Sequence, residues 1–211
     1  MSDMKQHRDL WAIWLLAFGS LLLAFPAYSI AAFGFNLDRN QVADMFALHI
    51  TLSYWLGIFA AFLPLPSLKS RDTFYRLQTL CLTFMLVSYA THLSWELLWL
   101  LLHEAIAQAR DSIWAYPWWA YIDGGDTRYF QPLPGFLMIE VLSVINGSIG
   151  FAGLYLLKRS QFADFRGTLL CMSTAVTHTV LTWYYYGSEI LAGFPHVNTA
   201  SFMDLWVKFV F

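Results

Sequence analysis

Charge is scarce in this chain. Lys, Arg, Asp and Glu together make up 12% of its 211 residues, against about 25% in ordinary soluble domains. So few ionic groups cannot hold in water a chain that is 58% apolar and 18% aromatic, which excludes a water-soluble fold. The 12 Lys and Arg are scattered and the formal net charge is only -2. The basic patch that neutralises a phosphate backbone is therefore missing, and nucleic acid is set aside as a partner. Cysteine is nearly absent as well: Cys81 and Cys171 both fall in apolar runs. That excludes a disulfide framework and a thiolate zinc site, leaving the two as packing or lipid-facing residues. No internal repeat, low-complexity tract or second soluble domain stands out.

What is present is a series of long apolar runs. A helix crossing a hydrocarbon core of about 30 Å needs roughly 20 apolar residues, because its backbone groups must pair within the segment. Six stretches compete for that role: 11–33 with a kink at Pro26, 45–65 stopped by Pro64 and Pro66, 77–102, 136–157, 168–186, and a last one beginning near Phe202. The expected fold is thus all-α, an integral membrane bundle of about six transmembrane helices. The last stretch, ending at Phe211 and carrying Asp204 and Lys208, is about half a span, so it reads either as interfacial or as a truncated helix. A cleavable leader ending near Ser29-Ile30-Ala31 is the alternative for the first run, which is longer than the usual h-region of about 7–15 residues.

Lys5, Arg8, Lys69, Arg71, Arg76, Lys158, Arg159 and Arg166 would lie on the N-terminal side of these spans, with only Arg39, Arg110 and Arg128 opposite. By the positive-inside rule the N-terminus is cytoplasmic. The connection from His103 to Gly135 then faces the lumen or periplasm, and its Trp114, Tyr116, Trp118, Trp119 and Tyr121 suit a membrane-water interface.

Ionisable residues inside apolar helices are expensive and seek partners in the bundle interior. His92 and Glu96 are spaced to share one helix face and a hydrogen bond, either as a structural pair or as a proton-handling one. Glu140 has no charged residue near it on its own helix, so its partner must come from another span. Desolvation favours the neutral acid, which can give up a proton and later take one back, although a neutral Glu bonded across helices fits as well. His178, set among Thr177, Thr179 and Thr182, reads alone as a packing histidine or as part of a cavity wall. A metal centre of His92, Glu96, Glu140 and His178 is disfavoured because the carboxylate-rich Glu-x-x-His pattern is absent. Trp95, Trp99 and Trp183 are core rings or the wall of a site for a flat apolar ligand or carbocation. Asn146-Gly147-Ser148 matches a glycosylation pattern but lies within a span, out of the transferase's reach.

His92-Leu93-Ser94-Trp95-Glu96, Gly125-Asp126-Thr127-Arg128-Tyr129 and Met138-Ile139-Glu140 follow one another in an order and separation that resembles the emopamil-binding protein family. This is the EXPERA-domain group that includes sterol delta-8, delta-7 isomerase and the sigma-2 receptor. The resemblance covers roughly residues 48–211. It implies a five-helix bundle over residues 41–211 around a sterol-sized cavity, with residues 1–40 supplying an extra N-terminal transmembrane helix. It also implies His92, Glu96 and Glu140 as proton-handling residues, Trp95, Trp99, His178 and Trp183 around the substrate, and Asp126, Arg128 and Tyr129 as braces of the loop.

Two features depart from the family pattern. Thr177-His178-Thr179 stand where the isomerase has a Tyr-Gly-Asp step, and the sequence ends before the family's final Asn and Trp would appear. The activity implied is a shift of a carbon-carbon double bond in a sterol or related polycyclic isoprenoid by protonation and deprotonation, with no cofactor and no metal. The alternatives are a non-catalytic binder of sterols, lipids or cationic amphiphiles, and a terpenoid cyclase that starts from acid. Transport is disfavoured by the lack of a repeat. The partners expected are the hydrophobic substrate and the bilayer, with room for a homodimer. The compartment expected is the endoplasmic reticulum in a eukaryote or the inner membrane in a bacterium.

Overall fold

The structure, a computed structural model, describes residues 8–210. Lys5 and Phe211, both used in the sequence reading, lie outside the described residues. All regular structure among the described residues is helical: α1 (Arg8–Phe33), α2 (Arg39–Phe59), α3 (Thr73–Thr91), a π-helical turn (His92–Glu96), α4 (Leu97–Gln108), α5 (Tyr116–Ile122), α6 (Pro134–Arg159), α7 (Phe165–Ala192) and a second π-helical stretch (Met203–Phe209), with short 3-10 turns between.

Four helical segments are long and apolar enough to cross a membrane: Arg8–Phe33, Arg39–Phe62, Thr73–Gln108 and Pro134–Arg159. They match the first four expected spans, and with so few charges they make this a membrane protein. α7 has the length, at 28 residues, but its threonines, His178 and tyrosines leave it less apolar than the other four. At the expected sixth span the described residues hold only the seven-residue stretch Met203–Phe209, well short of the roughly 20 residues a crossing helix needs.

The helices overrun their apolar stretches because caps, not hydrophobicity, end them. α2 starts six residues before Met45, where the Asp38 carboxylate accepts from Gln41 N. α7 starts where Asp164 accepts from the backbone N–H of Arg166 and Gly167, and stops where Gly193 turns left-handed at φ 80°. The hydrogen bonds to Arg166 hold the Asp164 carboxyl below its ordinary range.

The chain divides into two compact units, residues 8–84, 111–125 and 200–210 in one and residues 85–110 and 126–199 in the other. In the first, α1 packs on α2. A Cβ at Gly57 would fall 2.3 Å from the Phe18 ring, so any other residue there would have to push that ring aside. Trp14 Nε1 donates to the Gly57 carbonyl at 3.0 Å, and Tyr28 shares a 3.3 Å hydrogen bond with His49. Tyr116 and Trp119 of the aromatic cluster are buried within the protein, and the Tyr116 hydroxyl donates to the Arg39 carbonyl at 2.9 Å. The buried Lys208 reaches Asp44 at 2.7 Å and Asp204 at 2.8 Å.

In the second unit, α6 lies along α7 and also meets the π turn and α4. Its small residues allow this, since in lipid, close backbone approach and polar contacts replace the hydrophobic drive. A Cβ at Gly150 would sit 2.3 Å from the Tyr89 ring, and one at Gly153 2.9 Å from Cys171 Sγ. The Tyr89 hydroxyl and Thr174 Oγ1 are 2.6 Å apart, and Asn146 Nδ2 donates to the Thr174 carbonyl at 3.1 Å. Asn146 is thus a buried packing residue, in keeping with its rejection as a glycosylation site.

Candidate functional site

The motif His92–Glu96 coincides with the π-helical turn that interrupts the Thr73–Gln108 helix. A π turn spends an extra residue per turn and weakens the regular ladder, and such turns inside α-helices are frequent at functional sites. His92 lies close to α6 at Gly147, where a Cβ would come within 3.0 Å of His92 Cβ. His92 Nδ1 is 2.6 Å from Glu96 Oε2, and His92 Nε2 is 3.2 Å from Nδ1 of His178 on α7. Three residues from two elements thereby form one hydrogen-bonded line, Glu96–His92–His178.

Glu140, on the second turn of α6, is 3% exposed. Its Oε1 accepts from the Tyr129 hydroxyl at 2.8 Å, while Oε2 has no hydrogen-bond partner among the described residues. Glu96 is near enough for the two carboxyls to feel each other's charge. An unsatisfied oxygen on an ionised, buried carboxylate is costly, and the neutral acid lowers that cost. The second unit thus brings together a lone buried acid and a hydrogen-bonded histidine-carboxylate line.

The loop before α6 holds Tyr129 in place. Asp126, fully buried, accepts from the Arg128 backbone N–H at 3.0 Å and from its guanidinium at 2.9 Å (Nε to Oδ1) and 2.5 Å (Nη2 to Oδ2). The Tyr185 hydroxyl donates to Asp126 Oδ2 at 2.6 Å, and Arg128 Nη1 donates to the Tyr185 carbonyl at 3.2 Å. Glu189 stands 3.6 Å from Arg128 and bonds His196 Nδ1 at 2.7 Å. Burial works against the Arg128 charge, but the bonds to Asp126 and the fields of Tyr185 and Glu189 outweigh it and raise the guanidinium pKa. The guanidinium also sits 4.3 Å from the Tyr185 ring centre and 4.8 Å from that of Phe136. Trp99, fully buried, donates through Nε1 to the Tyr129 carbonyl at 3.1 Å, with ring centres 4.8 Å apart.

Of the residues singled out in the sequence, His92, Glu96, His178, Glu140, Tyr129, Asp126, Arg128 and Trp99 meet in this one unit. Trp99 braces Tyr129 and is sealed from solvent. Trp95 is partly buried on the π turn, and Trp183 is 73% exposed on α7, outside the cluster. Sequence reasoning missed two roles. Tyr129, expected only to brace the loop, is the hydrogen-bond donor to Glu140, and Tyr185, Glu189 and His196 complete the Arg128 network. Glu189, an acid near the end of an apolar helix, was the available signal for the second. Among the described residues no group of three His, Cys, Asp or Glu is arranged to hold a metal ion.

No family model matches the chain. No solved structure matches it either. The cluster therefore stands on its geometry: one buried carboxyl with an oxygen that has no hydrogen-bond partner among the described residues, and one hydrogen-bonded line of a carboxyl and two imidazoles.

Proposed function

We propose that the chain is a membrane-embedded isomerase that shifts a carbon-carbon double bond in a sterol or related polycyclic isoprenoid. The reading joins the EXPERA-like order of the three motifs to the chemistry of the cluster. The observation that carries it is the buried Glu140 carboxyl, pinned at Oε1 by Tyr129 and unpartnered at Oε2, beside the His92–Glu96 pair. Protonated Glu140 gives its proton to one alkene carbon, and the π electrons form the new C–H bond. The neighbouring carbon becomes a cation. Loss of a proton from the carbon beyond it to the hydrogen-bonded line of Glu96, His92 and His178 leaves that C–H electron pair as the new double bond. The net change is isomerisation, with no redox step.

In this reading α7 is a further span, residues 41–211 form the five-helix bundle of the family, and α1 is an additional helix. The N-terminus faces the cytoplasm, by the excess of Lys and Arg on that side. The membrane is the endoplasmic reticulum of a eukaryote or the inner membrane of a bacterium.

The test is incubation of the purified protein with sterols that differ in ring double-bond position, followed by chromatography and mass spectrometry. Wild type yields the shifted isomer and Glu140→Gln, folded, yields none. Ligand returned unchanged by wild type would favour a binder of sterols or cationic amphiphiles, and a product with an additional ring would favour a cyclase.

A further inference from the structure

Two hydrogen bonds in series restrict where protons can sit in the line Glu96–His92–His178. Each bond needs one donor and one acceptor. When Glu96 is a carboxylate it can only accept, so His92 Nδ1 carries a proton. A neutral His92 then has no proton on Nε2, and the 3.2 Å contact is made only if His178 Nδ1 donates. His178, neutral in turn, is deprotonated at Nε2. The opposite state is equally self-consistent: Glu96 protonated and donating to His92 Nδ1, His92 Nε2 donating to His178 Nδ1, and His178 protonated at Nε2. The two states differ by one proton entering at His178 Nε2 and one proton appearing on Glu96. Neither state contains an imidazolium, which is the form that a lipid-embedded helix pair disfavours most.

We infer that Glu96, His92 and His178 form a proton relay in which a proton taken from substrate at His178 Nε2 is delivered to Glu96, making His178 the proton-accepting group of the site and His92 a positioning residue between the two. The catalytic use of the relay rests on the isomerase reading; the relay itself does not. In the step, the substrate C–H bond breaks, its electron pair becomes the new double bond, and the proton binds His178 Nε2. The Nδ1 proton of His178 passes to His92 Nε2, and that of His92 Nδ1 passes to Glu96. Glu140 has by then lost its proton to the substrate. The enzyme is reset when the line runs back, Glu96 returning its proton to His92 Nδ1 and His92 Nε2 returning one to His178 Nδ1, while His178 Nε2 releases its proton to solvent and Glu140 takes one up from solvent.

The experiment reads tautomers and turnover separately. Nitrogen NMR on the full chain in nanodiscs, histidine-labelled with nitrogen-15 and assigned with His92→Asn and His178→Asn, should show both His92 and His178 protonated at Nδ1 and bare at Nε2. Glu96→Leu removes the acceptor, so His92 donates through Nε2 and His178 switches its proton to Nε2, although it does not touch residue 96. Glu96→Gln, closer in shape, should weaken the Nδ1 preference at both rings and guards against a misfolded leucine variant. A wild-type His178 protonated at Nε2 and bare at Nδ1, or tautomers unchanged in both Glu96 variants, overturns the relay. If wild type isomerises a sterol, His178→Asn should lower kcat roughly 10²- to 10⁴-fold with little change in KM; full turnover in that variant overturns His178 as the acceptor. If wild type isomerises none, the isomerase reading fails, while the tautomer result still decides the relay.

Discussion

Replacing Asp126 by alanine should destabilise the second unit by about 3 kcal/mol, the lower end of the range for breaking one partner of a buried ion pair. The carboxylate is fully buried and takes bonds from the Arg128 backbone, the Arg128 guanidinium and the Tyr185 hydroxyl, so its loss strands a guanidinium that is itself only 8% exposed. The loss stays at the low end because Glu189, 3.6 Å away, and the Tyr185 carbonyl still face the charge. For a chain of this length about 3 kcal/mol corresponds to a fall in Tm of roughly 6–12 °C. Thermal unfolding in a fixed detergent, followed by circular dichroism with protein and detergent concentrations matched, measures it. The double variant Asp126→Asn with Arg128→Met removes both charges and should recover part of the loss, because the stranded cation is gone. A single-variant shift below about 1 kcal/mol would refute the claim that this ion pair holds the loop and, through Tyr129, the Glu140 carboxyl.

Gly150→Ala should cost about 1–3 kcal/mol, since the added Cβ would fall 2.3 Å from the Tyr89 ring, whereas Gly135→Ala, with nothing within 4 Å, should be neutral or stabilising; paired denaturation curves separate the two. Tyr116 is held by burial at a pKa of about 12 against an ordinary 10.0. The unfolded chain therefore loses that proton first, and stability falls as pH rises from about 10 to 12. Tyr116→Phe should flatten this alkaline slope, read from unfolding midpoints across that range. Tyr129→Phe frees Glu140 Oε1 while keeping the ring against Trp99, so turnover should drop with little change in Tm.

Sequence periodicity alone placed His92 beside Glu96, because a helix of 3.6 residues per turn leaves few other arrangements at that spacing. The π turn there was not legible, since one extra residue in a turn leaves no mark in composition or hydropathy. The partner of Glu140 was argued to come from another span, whereas the residue that bonds it is Tyr129, in the loop just before α6. Pattern reasoning could not choose that residue, because loop geometry is set by Asp126 bonding two residues ahead and to α7, a long-range choice. The pairing of His178 with His92 is of the same kind, and so is the burial of Tyr116 and Trp119, whose aromatic composition suits an interface and a core equally. Four spans were plain from hydropathy. The stretch 168–186, expected as a span alongside them, forms a helix of ample length, but its threonines, tyrosines and His178 dilute its apolar character below that of the four.

The central claim is that Glu140 supplies the proton that starts the reaction. Turnover of an isomerisable sterol in deuterium oxide tests it most directly, with the deuterium content of the product read by mass spectrometry. The account predicts one deuterium in the product of wild type and no product from folded Glu140→Gln. Isomer formed without deuterium, or formed at the wild-type rate by Glu140→Gln, would contradict it.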